Sequence, residues 1–309
     1  MTSPKVIGFI PAYNSAKFIE KTLAALAVQN YSNFEIWICD DKSTDDTTKI
    51  CAEFCEKDKR FKLLKNESNL GWWKTSLNLW HQVSSKSEYC FFQPHDDIPS
   101  PDFIAAQVEL LEQNSSAVLC VPGIKNTYPD GKSRSFVLSN LGTSALPSQR
   151  IIPLVNWEVE NWWAAVHGMH RSKFISKIIP VDYLRFGEKE FALDLIWLIK
   201  LASWGSFICS DKVLFEKFYS KKSLSGAWKY NFVNRSAVYL AMAETTLSLK
   251  ASRYWLPRPI RKSLLKTSSK QHTKPKKSKL KLKISLRNLP KQPLKSRRKS
   301  VTPEKSSER

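Results

Sequence analysis

From residue 4 to about residue 122, short apolar runs alternate with longer stretches whose apolar positions recur every three or four residues. "KVIGFI" reads as a buried strand that stops at Pro11. The next stretch puts Phe18, Ile19, Leu23 and Leu26 on one helical face, with Asn14 or Ser15 placed to cap it. "FEIWIC" (34–39) is a second strand, ending on Asp40 and Asp41, and the helix after it turns Ile50, Phe54 and Cys55 inward. "FKLLKN" with "GWWKTSLNLWHQV", and "YCFFQ" with "PDFIAAQVELLEQ", repeat the unit. In the last of these Ser100 suits the cap and Pro101 the first helical position. "AVLCV" closes the series.

Four strand–helix units in a row predict an α/β fold, a doubly wound, mostly parallel sheet flanked by helices on both faces. Such sheets bind ligands beyond the carboxyl ends of their strands. Pro11–Asn14, Asp40–Asp41, Asn69–Gly71 and His95–Asp97 each fall just past a predicted strand, so all four should line one crevice. Beyond them, 123–156 is polar and weakly periodic and reads as a long loop region, and 159–174 as a strand with the start of a helix. "EKEFALDLIWLIKLASWG" is a helix with Phe191, Leu195, Leu198 and Ala202 in step, stopped by Gly205. "SFICSDKVLFEKFY" gives one or two strands and 227–249 a last amphipathic helix. The expected division is a βα half (1–122), a second half of the same domain (123–250) and a tail (251–309).

Charge changes the picture only in the tail. The chain of 309 residues carries a net charge of +21. Residues 251–309 hold 20 Lys/Arg against 2 Asp/Glu, net +18, which leaves +3 for the body. The tail is rich in Lys, Ser and Pro, too poor in apolar residues to order itself, and is expected to be disordered. It suits an anionic membrane surface, where each Lys or Arg contributes about 1 kcal/mol. Nucleic acid held by counterion release is the less favoured partner. Six scattered cysteines with no metal or redox spacing indicate reduced core thiols. No stretch approaches the roughly 18 apolar residues of a membrane span, and the N-terminus lacks a signal peptide's apolar core. The expected location is cytoplasmic, with the tail able to hold the protein at the inner face of the membrane.

The candidate chemistry lies in paired carboxylates. A buried carboxylate is costly unless something cationic meets it. Asp40 and Asp41 precede a helix that Ser43 or Thr44 can cap, and Asp96 and Asp97 precede one that Ser100 can cap, so both pairs are surplus to capping. A nucleotide for the first pair and Mg²⁺ or Mn²⁺ for the second fit that surplus. Asp194, between Leu193 and Leu195, sits in an enclosed setting that would raise its pKa. Trp72–Trp73 and Trp162–Trp163 suit either stacking on a sugar or base, or the core.

In order along the chain, "VIGFIPAYN", "ICDDKSTDDT", "NLGWWKTSLN", "PHDD" and "LDLIWLIKLASWG" resemble the landmarks of family 2 glycosyltransferases. The resemblance implies a GT-A (Rossmann-like) fold, a nucleotide-sugar donor, a glycan or lipid-linked acceptor, and inversion at the anomeric carbon. It implies nucleotide binding by Pro11, Ala12, Tyr13, Asn14, Asp40, Asp41, Asn69 and Gly71. It implies a divalent metal at Asp96 and Asp97, and a general base at Asp194, with Glu188 and Glu190 as substitutes. The chain departs from the pattern in three places. Pro94-His95 stands before the two aspartates, Leu193 stands where a paired acid is common, and "FYSKKSLS" offers Lys221 and Lys222 but no histidine. A non-catalytic nucleotide- or glycan-binding relative is the alternative these departures leave.

Overall fold

The structure, a computed structural model, describes residues 3–156, 158–178, 193–220, 240–243 and 245. By internal contacts the chain divides into Met1–Leu256 and Pro257–Arg309. The second unit and the basic tail lie outside the described residues.

Strand β1 (Val6–Ala12), helix α1 (Ile19–Ala27), β2 (Phe34–Asp40), α2 (Thr47–Lys57), β3 (Phe61–Lys65), α3 (Trp72–Ser84) and β4 (Tyr89–Phe92) follow the predicted alternation. All seven residues of β1 are buried. A continuous apolar run of this kind marks a strand covered on both faces, as a crossover-connected parallel sheet requires. Gly8 lets the Phe91 ring lie against β1, since a Cβ there would come within 2.3 Å of that ring.

After β4 come β5 (Ile98–Pro99), α4 (Phe103–Gln113), β6 (Ala117–Thr127), β7 (Ser133–Phe136), α5 (Pro147–Val155), β8 (Met169–Arg171), α6 (Ile175–Ile178), α7 (Leu193–Ala202) and β9 (Ser206–Phe218). A 3₁₀ segment, Trp162–His167, precedes β8. The sheet order is β3-β2-β1-β4-β8-β6-β9-β5, with β7 on β6. Within β3-β2-β1-β4 every pairing is parallel. β8 is antiparallel to both β4 and β6, and β9 is parallel to β6, so β6 and β9 point the same way as β1–β4. Six strands therefore deliver their carboxyl ends to one edge.

The second half corrects the sequence reading. The segment 123–156 is no long loop: β6 runs on to Thr127, β7 pairs back on it, and α5 follows. Alternation is weak there because β7 is almost wholly exposed and shows no apolar face. Helix α4 starts at Phe103 with Asp102, not Ser100, at the cap position and no side-chain capping bond, and Phe18 is 47% exposed instead of facing the core. Most of the predicted last helix lies outside the described residues.

Candidate active site

The first two turns at the carboxyl edge are tied to each other. Asn14, in a left-handed conformation (φ 46°), accepts the Thr44 amide on Oδ1 at 2.8 Å and donates its own amide to the Ser43 hydroxyl at 3.0 Å. The Asp41 amide donates to the Ala12 carbonyl at 2.8 Å. Buried Asp40 accepts from the Thr48 hydroxyl at 2.8 Å, which holds the amino end of α2. Tyr13 is left 45% exposed on this rim.

Asp41, 2% exposed, organises the third turn. Its Oδ1 accepts from Asn66 Nδ2 at 2.7 Å and the Leu70 amide at 2.9 Å, and its Oδ2 accepts from the Gly71 amide at 2.9 Å. Gly71 has φ 83° and ψ 157°, a region that is essentially glycine-only and would cost another residue about 1–3 kcal/mol. Asn69 Oδ1 accepts the same amide at 3.1 Å. The sequence reading missed Asn66, whose only signal was an amide side chain directly after β3. The expected nucleotide-binding residues therefore share one rim, where the two aspartates brace loops and retain free lone pairs.

The fourth turn joins this rim through β1. The His95 ring lies 3.5 Å from the Pro11 carbonyl, and the Thr22 hydroxyl donates to the carbonyls of His95 and Asp97 at 3.0 and 3.2 Å. Asp97 is fully buried. Its Oδ1 accepts the Phe218 amide at 2.9 Å and its Oδ2 meets Lys217 Nζ at 3.2 Å. Burial pushes its carboxyl up to about 6, with Lys217 opposing and Asp96 adding to the rise.

This arrangement decides how a divalent cation could fit. Asp97 is engaged on both oxygens by β9, while Asp96, half-buried beside it, is the less engaged of the two carboxylates expected at an ion. Among the described residues no three His, Cys, Asp or Glu side chains converge to cage an ion. A single carboxylate fits an ion that arrives on a substrate's phosphates, the usual mode for Mg²⁺.

Helix α7 carries Asp194 in its first turn and leads through Gly205 into β9. β9 begins at the amino edge of the sheet, and three residues past Asp194 the Trp197 ring meets Trp73, in the first turn of α3 just after the third rim turn, at 6.3 Å, so the first turns of α7 lie on the carboxyl side. Burial raises its carboxyl to about 6, opposed only by backbone N–H groups, with Leu195 donating at 3.0 Å. Three residues on, Trp197 Nε1 donates to His170 Nε2 at 3.3 Å, and His170 Nδ1 donates to the Gly168 carbonyl at 2.9 Å. Burial pushes His170 down to about 3, so it is a neutral core group, wedged against Trp80. The other end of α7 is clasped by buried Arg150, which donates to the carbonyls of Ala202 (2.7 Å), Ser144 (2.9 Å) and Ala145 (2.6 Å). A cation there also complements the helix dipole.

Trp73 is a core residue at 2% exposure, while Trp72, Trp162 and Trp163 are half-buried. Glu188, Glu190, Lys221 and Lys222 lie outside the described residues. A described hollow of about 490 Å³ lies at the amino ends of β6 and β9 beside Ser116 and Ser206, and gathers none of these groups.

Comparison with known proteins bears on this geometry. The family model of glycosyl transferase family 2 matches residues 9–174. An uncharacterized glycosyltransferase of Haemophilus influenzae is 35% identical over 111 residues, 36% of this chain and 34% of that protein. Glycosyltransferase GlyG of Streptococcus pneumoniae is 30% identical over 110 residues, 36% of each chain. The match thus spans about a third of these curated relatives. Staphylococcus aureus TarS 1–349 in complex with UDP-GlcNAc has a TM-score of 0.62 at 20% identity, covering 87% of this chain and 72% of that one. Mannosyltransferase PcManGT from Pyrobaculum calidifontis, in complex with GDP-Man and Mn²⁺, has 0.51 at 14% identity, covering 89% and 82%. At such identities the likeness is one of fold, and it is the expected GT-A fold.

Proposed function

Because this chain belongs to glycosyl transferase family 2, we propose that it moves a sugar from a nucleoside diphosphate sugar to an acceptor hydroxyl, with inversion, in the synthesis of a cell-surface or lipid-linked glycan. The observation that carries the reading is the shared rim: the turns after β1, β2, β3 and β4 are hydrogen-bonded into one carboxyl edge, toward which α7 directs Asp194. TarS is seen with UDP-GlcNAc and PcManGT with GDP-Man and Mn²⁺, and the proposal extends that class of donor to this chain.

The turns of Pro11–Asn14, Asp40–Asp41 and Asn69–Gly71 hold the nucleoside, with the exposed Tyr13 ring as a surface against it. Asp96 is the carboxylate available to Mn²⁺ or Mg²⁺ riding on the diphosphate, where such an ion neutralises leaving-group charge. Asp194 takes the proton from the acceptor hydroxyl as that oxygen bonds the anomeric carbon and the diphosphate departs from its other face. One base and one in-line displacement give inversion. Holding donor and acceptor side by side contributes much of the rate.

Among the described residues no helix is long and apolar enough to cross a membrane. Attachment to an anionic surface is assigned to the basic tail. The rival reading, a binding protein without turnover, draws on Leu193 standing where a second acid is common. Incubating the protein with Mn²⁺ and a panel of nucleotide sugars separates the two: hydrolysis or transfer is expected for one donor, and binding without turnover would favour the rival. Asp96→Asn is expected to raise the Mn²⁺ concentration for half-maximal turnover at least about tenfold, the loss of one charged ligand contact. An unchanged Mn²⁺ response would remove Asp96 from the ion.

A further inference from the structure

Across the edge of the sheet nearest Asp97, four strands place one polar row on a single face. The register sets Ile98 against Glu216 in antiparallel pairing, which brings Asp97 opposite Lys217. Lys217 pairs with Asn126 on β6, and Asn126 pairs with Arg134 on β7. Register partners share a face, so acid, ammonium, amide and guanidinium stand side by side. Two of the four are satisfied: Asp97 and Lys217 neutralise each other. The other two are not. Asn126 is 5% exposed and its Oδ1 has no hydrogen-bond partner. The Arg134 side chain is exposed and makes no hydrogen bond or ion pair among the described residues, whereas neighbouring Lys125 and Lys132 are paired with Glu216 and Asp130. A buried amide oxygen without a donor is costly in a finished interior. The guanidinium beside it is the nearest charge in this row without a protein partner among the described residues.

The surroundings say what kind of molecule that is. Two residues further along each strand, Tyr128 and Tyr219 stack at 5.1 Å and 17°, and Tyr128 is 37% exposed, presenting an aromatic face. On the other side Trp163 stands over Lys217 at 5.9 Å and meets Phe136 edge-on. The hairpin lines an open hollow of about 620 Å³ with Tyr128, Pro129, Asp130, Lys132, Ser133 and Arg134, in which Asp130 is already paired with Lys132 and Arg134 is left as the unpaired charge among the described residues. Aromatic walls, a hydroxyl-accepting amide oxygen and an unpaired guanidinium together describe a sugar ring that carries an anion.

We propose that the β7–β6–β9 face next to Asp97 is the acceptor subsite, and that it selects acceptors whose sugar bears a carboxylate or phosphate, held by Arg134, with Asn126 Oδ1 taking a hydroxyl and Tyr128 covering the ring. This rests on the glycosyltransferase reading and names the substrate class of that site. Asp97 links the two subsites physically, since it closes the metal turn and grips Lys217 and the Phe218 amide from the same carboxylate.

The test uses the full chain, with UDP and GDP at saturation to fill the donor side, and follows glucuronic acid, glucose 6-phosphate and methyl glucoside by saturation-transfer NMR. The two anionic probes are expected to bind about tenfold more tightly than methyl glucoside, the worth of one charge-assisted bond. Arg134→Gln should erase that preference, and Tyr128→Ala should weaken all three probes alike. Lys57→Gln, an equal charge change on the exposed end of α2, should alter nothing. Both tested side chains are exposed, so unchanged melting temperatures are expected to accompany the losses. Equal binding of charged and neutral probes, no binding of any, or an anion preference that survives Arg134→Gln would each overturn the assignment. A nucleotide-sugar screen that still succeeds would then leave the glycosyltransferase reading standing, and a failed screen would remove that reading instead.

Discussion

Asp194→Asn is expected to leave a folded protein that still binds nucleotide sugar and transfers it about 10²–10⁴-fold more slowly, the usual contribution of a general base. Asparagine preserves the shape and the contact with the Leu195 amide but cannot accept a proton from the acceptor. The carboxyl titrates near 6, so turnover by the native protein should rise through about pH 6 and level off above it as the basic form fills. Stability should move the other way. A carboxyl whose pKa is raised by folding holds its proton more firmly in the fold than in the unfolded chain between about pH 4 and 6. Stability from this group therefore falls as pH rises through that window and stays lower at neutrality. Asn escapes the penalty, so the variant should be more stable than the native protein at pH 7.5 by about 1–3 kcal/mol, and the gain should vanish near pH 4. Urea titrations at the two pH values, together with kcat, check both halves. A variant that is both active and unstabilised would show that Asp194 is an ordinary surface acid.

Lys217→Met should be the most damaging single change at the rim. It strands Asp97, fully buried, with one backbone N–H as its remaining contact. Breaking a buried pair by removing one partner costs about 3–5 kcal/mol, discounted here to about 2–4 because the Lys217 side chain is 22% exposed. Asp97→Asn alone should cost less, since the Phe218 amide keeps an oxygen to bond. The double variant should recover most of the loss, because no uncompensated charge remains. A cycle measured by urea denaturation checks this, and additive losses would mean that the pair is not coupled. The outcome also separates the two adjacent aspartates: Asp97 affects stability first, Asp96 affects the Mn²⁺ response.

The parallel half of the fold was legible because β1 and β4 are continuous apolar runs, β2 is broken only by Glu35 before its closing Asp40, and helix α1 between them shows one apolar stripe. The four polar turns followed from the strand ends alone, and the structure ties them together. What stayed hidden depends on long-range pairing. β5 is two residues long and exists only through its pairing with β9, and exposed β7 exists only through β6. For the same reason the pairing of Asp97 left no trace in the sequence. Its partner Lys217 is 120 residues away and carries no local mark. The expectation for Asp194 came from the resemblance; its enclosure was legible only as apolar neighbours in sequence.

Arg150, in the first turn of α5, clasps the last turn of α7 at the opposite edge of the sheet, and its acceptors among the described residues are carbonyls. Helix α7 is a rod with Asp194, the proposed proton acceptor, at its far tip. Small shifts in the 144–150 turn are levered along it, so the aim and basicity of the reacting group can drift between descendants of this chain through changes that never touch the crevice.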